Sequence, residues 1–352
     1  MHSSDSSSKN ELRDSRTGEA TGKSSSIKDR WHYVPPLPLK TSPYFSWPPS
    51  VPAIVRWIIR GWFPISERLI ILLFAVLSAS FLQPNIEHYS NLAFGWIAHI
   101  YVRNFVLMCL VAGGLHWYFY MWCRQGNEYR FDARPLVASS RVFTFNSQVH
   151  DNIFWTLVSG VTVWTAYEVL MMWALANGYA PALSLPGDLP WLILLIFLLP
   201  LWETTHFFLI HRLIHNSSIY QRVHALHHRN TNVGPWSGLS MHPIEHIIYL
   251  STILIHFIIP SSPVLIIFHL SYFTLSAATT HTGYQGIIRH GRMILPLGTF
   301  HHQLHHRFVS CNYGGLETPW DQWTGSFHDG TDESHKRFLA KRRQMKNAKT
   351  GG

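Results

Sequence analysis

The 352-residue chain is 47% hydrophobic and 14% aromatic but only 13% charged, with a net charge of +9. That balance argues against an ordinary soluble protein, in which about a quarter of residues are charged. The basic residues flank apolar runs and fill the tail from Lys336 to Lys349, so an anionic lipid surface is a better partner than nucleic acid, a freely solvated tail being the plain alternative.

Residues 1–30 are rich in Ser, Lys, Asp and Gly and carry almost no large apolar side chains, which predicts a disordered tail. Residues 31–66 open with WHYVPPLPLK, and their proline and aromatic content suits an extended segment at a membrane interface. A transmembrane bundle is expected over 67–215. Its apolar runs, at 69–82, 104–122, 153–176 and 191–210, approach the roughly 20 residues that cross a hydrocarbon core of about 30 Å. The loops at 83–101 and 177–190 contain no Lys or Arg, whereas Arg56, Arg60 and Arg68 precede the first run and Arg124, Arg130, Arg134 and Arg141 separate the second from the third. The positive-inside rule then places both termini in the cytosol. A further apolar stretch, 247–280, is split by Pro260 and Pro263 and reads as a hairpin that either re-enters or spans. The expected fold is therefore an all-α integral membrane protein: a four-helix transmembrane bundle plus this hairpin, capped by a cytosolic histidine-rich domain over 203–328 and followed by a basic tail at 329–352.

Of 24 histidines, 16 fall between His206 and His306. Three elements stand out: His211 and His215 in HRLIH, His224, His227 and His228 in HALHH, and His302, His305 and His306 in HQLHH. Spacings of three and four residues bring imidazoles to one side of a helix, where they can share a metal. Eight nitrogens exceed what one tetrahedral zinc can use and suit two octahedral ions, so a dinuclear site is predicted. His281, in HTGY just after the hairpin, is the ninth candidate ligand. His242, His246 and His301 form a second tier. Single histidines such as His99, His116, His256 and His269 match no element and are read as structural. Three cysteines, Cys109, Cys123 and Cys311, are too scattered for a thiolate cage, so nitrogen and oxygen are the expected donors. Metal-bound imidazoles usually donate their other N–H to a carboxylate or carbonyl, which makes Glu203, Glu245, Glu317 and Asp321 candidates for the shell behind the ligands, with Arg212 or a histidine as the charge partner expected for Glu203.

HRLIH, HALHH, HP with Glu245, HTGY, HQLHH, NYG (312–314) and WDQWTGS (320–326) occur here in an order and spacing that resembles the fatty acid hydroxylase and sterol desaturase superfamily. The three-residue gap in HRLIH is most similar to sterol C-5 desaturases and methyl-sterol oxidases, while GLETPWDQW departs from the run that usually follows NYG in C-5 desaturases. The resemblance implies a membrane enzyme in which two iron ions and O2 oxidise a C–H bond of a lipid, with electrons from a separate protein such as cytochrome b5 or ferredoxin. A sterol is the expected substrate, a fatty-acyl, sphingoid or amino-lipid chain the alternative. The implied location is the endoplasmic reticulum in a eukaryote or the inner membrane in a bacterium. A zinc-dependent membrane hydrolase with Glu245 as general base is the rival of another class.

Overall fold

A computed structural model describes residues 26–350; residues 1–25 of the expected polar tail lie outside them. Helix α1 (Val51–Trp62) carries Pro52 in its first turn, where a missing N–H costs nothing. The Ser66 hydroxyl accepts the Leu69 N–H at 3.2 Å and starts α2 (Glu67–Leu82), and the chain bends by 57° between the two helices. The expected span at 69–82 is thus one limb of a bent pair, because α2 alone is shorter than about 20 residues. Val51, Val55 and Ile59 of α1 are exposed beside Arg56 and Arg60, the arrangement of a helix lying along an interface.

Helices α3 (Phe94–Met121), α4 (Gln148–Ala176) and α5 (Leu189–Ile214) are each long and apolar enough to cross a membrane. They contain the expected runs at 153–176 and 191–210 and nearly all of 104–122. Because α3 begins ten residues before 104, Arg103 lies inside it and not at its edge. It is buried and forms an ion pair with Glu168 of α4, while the Asn104 amide donates to both Glu168 and Thr165. A charge inside an apolar bundle requires such a partner. The apolar run by itself leaves open whether the helix begins before Arg103, and it does.

Beyond α5, residues 217–228 form the short helical stretch α6. Helices α7 (Pro243–Phe257) and α8 (Pro263–Thr280) make the predicted hairpin. Its tip does not stop halfway: Ser261 N–H donates to Pro181 O at 2.9 Å, and Leu183 N–H to Ser261 O at 2.7 Å, so it reaches the loop joining the far ends of α4 and α5. Of the two limbs, α8 is itself long and apolar enough to cross. It is apolar all round and packs inside the other helices, with Leu265 to Leu270 fully buried.

The remaining elements are a two-stranded antiparallel hairpin of β1 (Gly286–Arg289) and β2 (Arg292–Pro296), absent from the all-helical expectation, then α9 (Phe300–Phe308), α10 (Trp320–Trp323) and α11 (Asp332–Thr350). Residues 31–46 run across this end of the molecule. Trp31 meets Phe300 edge-on at 5.1 Å, Leu39 N–H donates to Asp329 O, and Ser42 N–H to Leu316 O. The proline-rich segment thereby straps the elements that carry the histidines.

Truncating one partner of a buried ion pair leaves the other charge uncompensated. Arg103→Ala is expected to destabilise the bundle by about 3–5 kcal/mol, with Arg103→Met/Glu168→Met recovering much of the loss. Thermal melts of the purified protein in detergent check this.

Candidate metal centre

The histidines stand where three helices end on the same side of the bundle. His211 is in the last turn of α5 and His215 caps it; α6 brings His224, His227 and His228; His281 follows the C-terminus of α8; and α9 carries His302, His305 and His306. Their ring nitrogens form two groups, His211, His215, His224, His228 and His305 in one, and His227, His281, His302 and His306 in the other, with the donor atoms of each group within 4.8 Å of one another.

The division follows from helical geometry. Residues i and i+4 are about 40° apart around an α-helix, whereas i+3 falls about 60° to the other side. In HALHH the outer pair, His224 and His228, therefore faces one group and His227 the other. In HQLHH the outer pair, His302 and His306, joins the second group and His305 crosses to the first. The two elements are used in opposite senses, and each connects the two groups.

The outer ring nitrogens are held by the protein. His211 Nδ1 lies 2.6 Å from Tyr313 O, His305 Nδ1 2.6 Å from Cys311 O, His281 Nδ1 2.7 Å from Ala277 O, His306 Nδ1 3.0 Å from Asn230 O and His227 Nδ1 3.3 Å from Ser240 O. His224 Nδ1 is 2.6 Å from Glu245 Oε1. A neutral imidazole has one N–H, and a carbonyl partner fixes it on Nδ1, so Nε2 presents a lone pair. These lone pairs converge. His281 and His306 Nε2 are 2.9 Å apart and His302 Nε2 is 3.1 Å from each; in the other group His211 Nε2 lies 3.1 Å from His224 Nε2 and 3.2 Å from His215 Nε2, and His305 Nε2 lies 3.0 Å from His228 Nε2. Facing lone pairs repel, and a cation between them removes the repulsion. With metal–nitrogen bonds of about 2.1 Å, neighbouring ligands are about 3.0 Å apart in an octahedron and about 3.4 Å apart in a tetrahedron. The observed spacing fits the octahedral case, and the residues present fit a pair of transition-metal ions.

Burial keeps these rings neutral. It pushes His227 down to about 4 and His305 to about 3, and together with the neighbouring imidazoles it holds His215, His224, His228, His302 and His306 well below the ordinary range. Neutral imidazole is the form that binds a metal.

The other predicted residues divide. Asp321 accepts from Tyr313 N–H at 2.9 Å, Gly314 N–H at 2.7 Å and Ser326 Oγ at 2.7 Å, fixing the loop whose Tyr313 carbonyl orients His211. Arg212 lies over the Tyr313 ring, 5.4 Å from its centre. Glu245 touches His224 directly. Glu203 reaches none of the nine histidines; its Oε1 lies 3.7 Å from His269 Nε2. His246 uses both ring nitrogens on Ser159 Oγ and Leu239 O, and His242 accepts the Ile244 N–H, so neither joins a group. His301 is buried beside Phe327 and also stays apart. Glu317 pairs with Arg68 and accepts from Trp57 Nε1, serving the packing of α1 and α2.

Residues 195–326 match the fatty acid hydroxylase family model. The matched segment contains all nine histidines of the two groups. It is 24% identical to a Delta(7)-sterol-C5(6)-desaturase of Nicotiana tabacum over 69% of this chain and 86% of that protein. It is 28% identical to a lathosterol oxidase of Mus musculus over 51% of this chain and 62% of that protein. A Delta(7)-sterol 5(6)-desaturase of Leptosphaeria maculans is 29% identical over 37% of this chain and 36% of its own length. No solved structure matches.

Sequence reasoning missed the carbonyls of Asn230, Ser240, Ala277 and Cys311, because a backbone acceptor leaves no signal in residue identity. One indirect mark exists. A Cβ on Gly238 would sit 1.9 Å from Ala277 O, the acceptor of His281, so only glycine allows that approach. Gly238→Ala is expected to displace this carbonyl and lower the bound metal below two ions per chain by elemental analysis, with the nine histidines intact. Metal-free protein is expected to lose stability as pH falls from about 6.5 towards 4, since unfolded imidazoles titrate near about 6.5 and the unfolded state takes up more protons across that window. Melting temperature measured against pH with chelator checks this.

Proposed function

We propose that the protein is an O2-dependent membrane lipid oxidase whose two histidine groups hold a pair of iron ions, and that its substrate is a sterol or related polycyclic lipid. The observation that carries this reading is the position of both groups at the wall of a cavity of about 760 Å³ lined by His211, His224, His227, His281 and His302 together with Phe207, Ile210, Tyr249 and Phe273. That volume lies within the range of small-molecule sites, and its largely apolar walls suit a lipid. The sterol assignment draws on the activities named for the relatives.

His211, His215, His224, His228 and His305 would hold one ion, and His227, His281, His302 and His306 the other. Bound iron supplies the activation of O2 and the removal of hydrogen from an unactivated C–H bond. The residues of this chain do the rest. The backbone carbonyls and Glu245 hold the Nδ1 protons and aim the rings, the apolar wall orients the lipid, and burial excludes water from the reaction. The cavity continues to Gly61, Phe63 and Ile65, at and beside the bend between α1 and α2, where Phe63 and Ile65 are exposed and a lipid can enter sideways.

The metal side and both termini are assigned to the cytosol from the distribution of Arg and Lys in the loops. Arg124 and Arg141 are exposed on that side, a surface for an acidic electron donor such as cytochrome b5 or ferredoxin. A zinc hydrolase finds less support: Glu245 Oε1 is engaged by His224, and one zinc would leave about half of the histidines without a role.

The test is lipid mass spectrometry of cells producing the active protein or His227→Ala, together with metal analysis and O2 uptake. A sterol that loses two hydrogens or gains one oxygen only with the active protein is the expected result. Active protein holding a single zinc and consuming no O2 would overturn the reading.

A further inference from the structure

Among the carboxyl groups that line the substrate cavity, one accepts no hydrogen bond from the protein. Glu203 is on α5 eight residues before His211, about two turns deeper in the bundle. It lines the cavity, only 3% of its surface is exposed, and its Oε1 accepts no hydrogen bond. Its polar neighbours are committed elsewhere. His269 lies 3.7 Å away but places Nε2 at 3.1 Å from Thr252 Oγ1 and Nδ1 at 2.9 Å from His256 Nε2. Arg68 is bound to Glu317 and the Tyr272 hydroxyl, and Tyr249 donates to Phe273 O. Glu67, the other carboxyl in this part of the wall, accepts from Ser276 at 2.8 Å and from Thr279 at 2.7 Å. One carboxyl is satisfied by hydroxyls of the protein; the other is not.

A buried acceptor facing an apolar cavity without a donor is a cost that a purely structural residue has no reason to retain, because an apolar side chain of similar size would pack there at no penalty. The cost disappears when the cavity's occupant brings a donor. We propose that Glu203 is a positioning residue that accepts a hydrogen bond from a hydroxyl group of the lipid, and so sets which carbon lies against the histidine groups. A neutral hydroxyl is favoured over an ammonium group because the Arg68 guanidinium lines the same wall and would oppose a second cation. Such a site also discriminates sharply, since a lipid lacking the donor leaves the carboxyl unpaired. This inference rests on the reading of the cavity as a lipid-oxidation site.

The test uses the full-length iron-loaded enzyme with reductant and two probes, a Δ7-sterol bearing its free ring hydroxyl and the O-methyl ether of the same sterol. Wild type is expected to favour the alcohol by roughly tenfold or more in kcat/KM. Glu203→Leu is expected to bring that ratio to within about twofold of unity while keeping wild-type iron content. Glu203→Gln keeps an acceptor oxygen and is expected to retain most of the preference. Glu203→Met provides a second apolar variant, and neither apolar change is expected to lower the melting temperature, because no hydrogen bond within the protein to Oε1 is lost. An apolar variant with full iron that still favours the alcohol tenfold, or a wild type that oxidises alcohol and ether alike, would overturn the assignment. Iron-loaded wild type that oxidises neither probe nor any other lipid would instead overturn the lipid-oxidase reading itself.

Discussion

Nine imidazoles crowd together with their lone pairs facing inward, and much of the structure is arranged to hold them there. Nitrogens 2.9–3.2 Å apart repel when each has its proton on the far side of the ring, and six of the nine rings have that far side engaged by a carbonyl or by Glu245. A cation within each group would remove that repulsion. It also explains the burial: a solvated histidine cluster would protonate and disperse, whereas these rings stay neutral because charging them inside the protein is unfavourable.

The same constraint explains elements that touch no metal candidate. Asp321 ties down the Tyr313 loop, and through the Tyr313 carbonyl it sets His211. Gly238 lets the 230–240 loop press against α8, and that loop supplies carbonyls to His227 and His306. The strap of residues 31–46 covers α9 from outside, with Trp31 against Phe300. In the apolar bundle the Arg103–Glu168 pair joins α3 to α4 on the side away from the histidines, so the helix ends that carry them start from a fixed base. The cavity lies against the histidine groups, walled by α5, α7 and α8, and extends to the bend between α1 and α2.

Hydrophobic runs and histidine spacing determined a good deal from the sequence alone: helices through 153–176 and 191–210, a proline-split hairpin, and nine histidines enough for two ions. These are local properties, set by periods and lengths that a linear chain displays directly. The tertiary structure decided what depends on neighbours distant in sequence. Sequence leaves open whether Arg103 lies inside its helix, and the partner that compensates its charge, Glu168, stands on another helix. The hairpin tip is resolved as reaching the far side only by its backbone pairing to Pro181 and Leu183. The division of HALHH and HQLHH in opposite senses depends on how α6 and α9 face each other, which spacing cannot express. Glu203 appears in sequence as one more carboxylate behind the ligands; only packing shows it standing apart from all nine histidines and facing the lipid cavity, because a missing hydrogen-bond partner is a property of the surroundings and not of the residue.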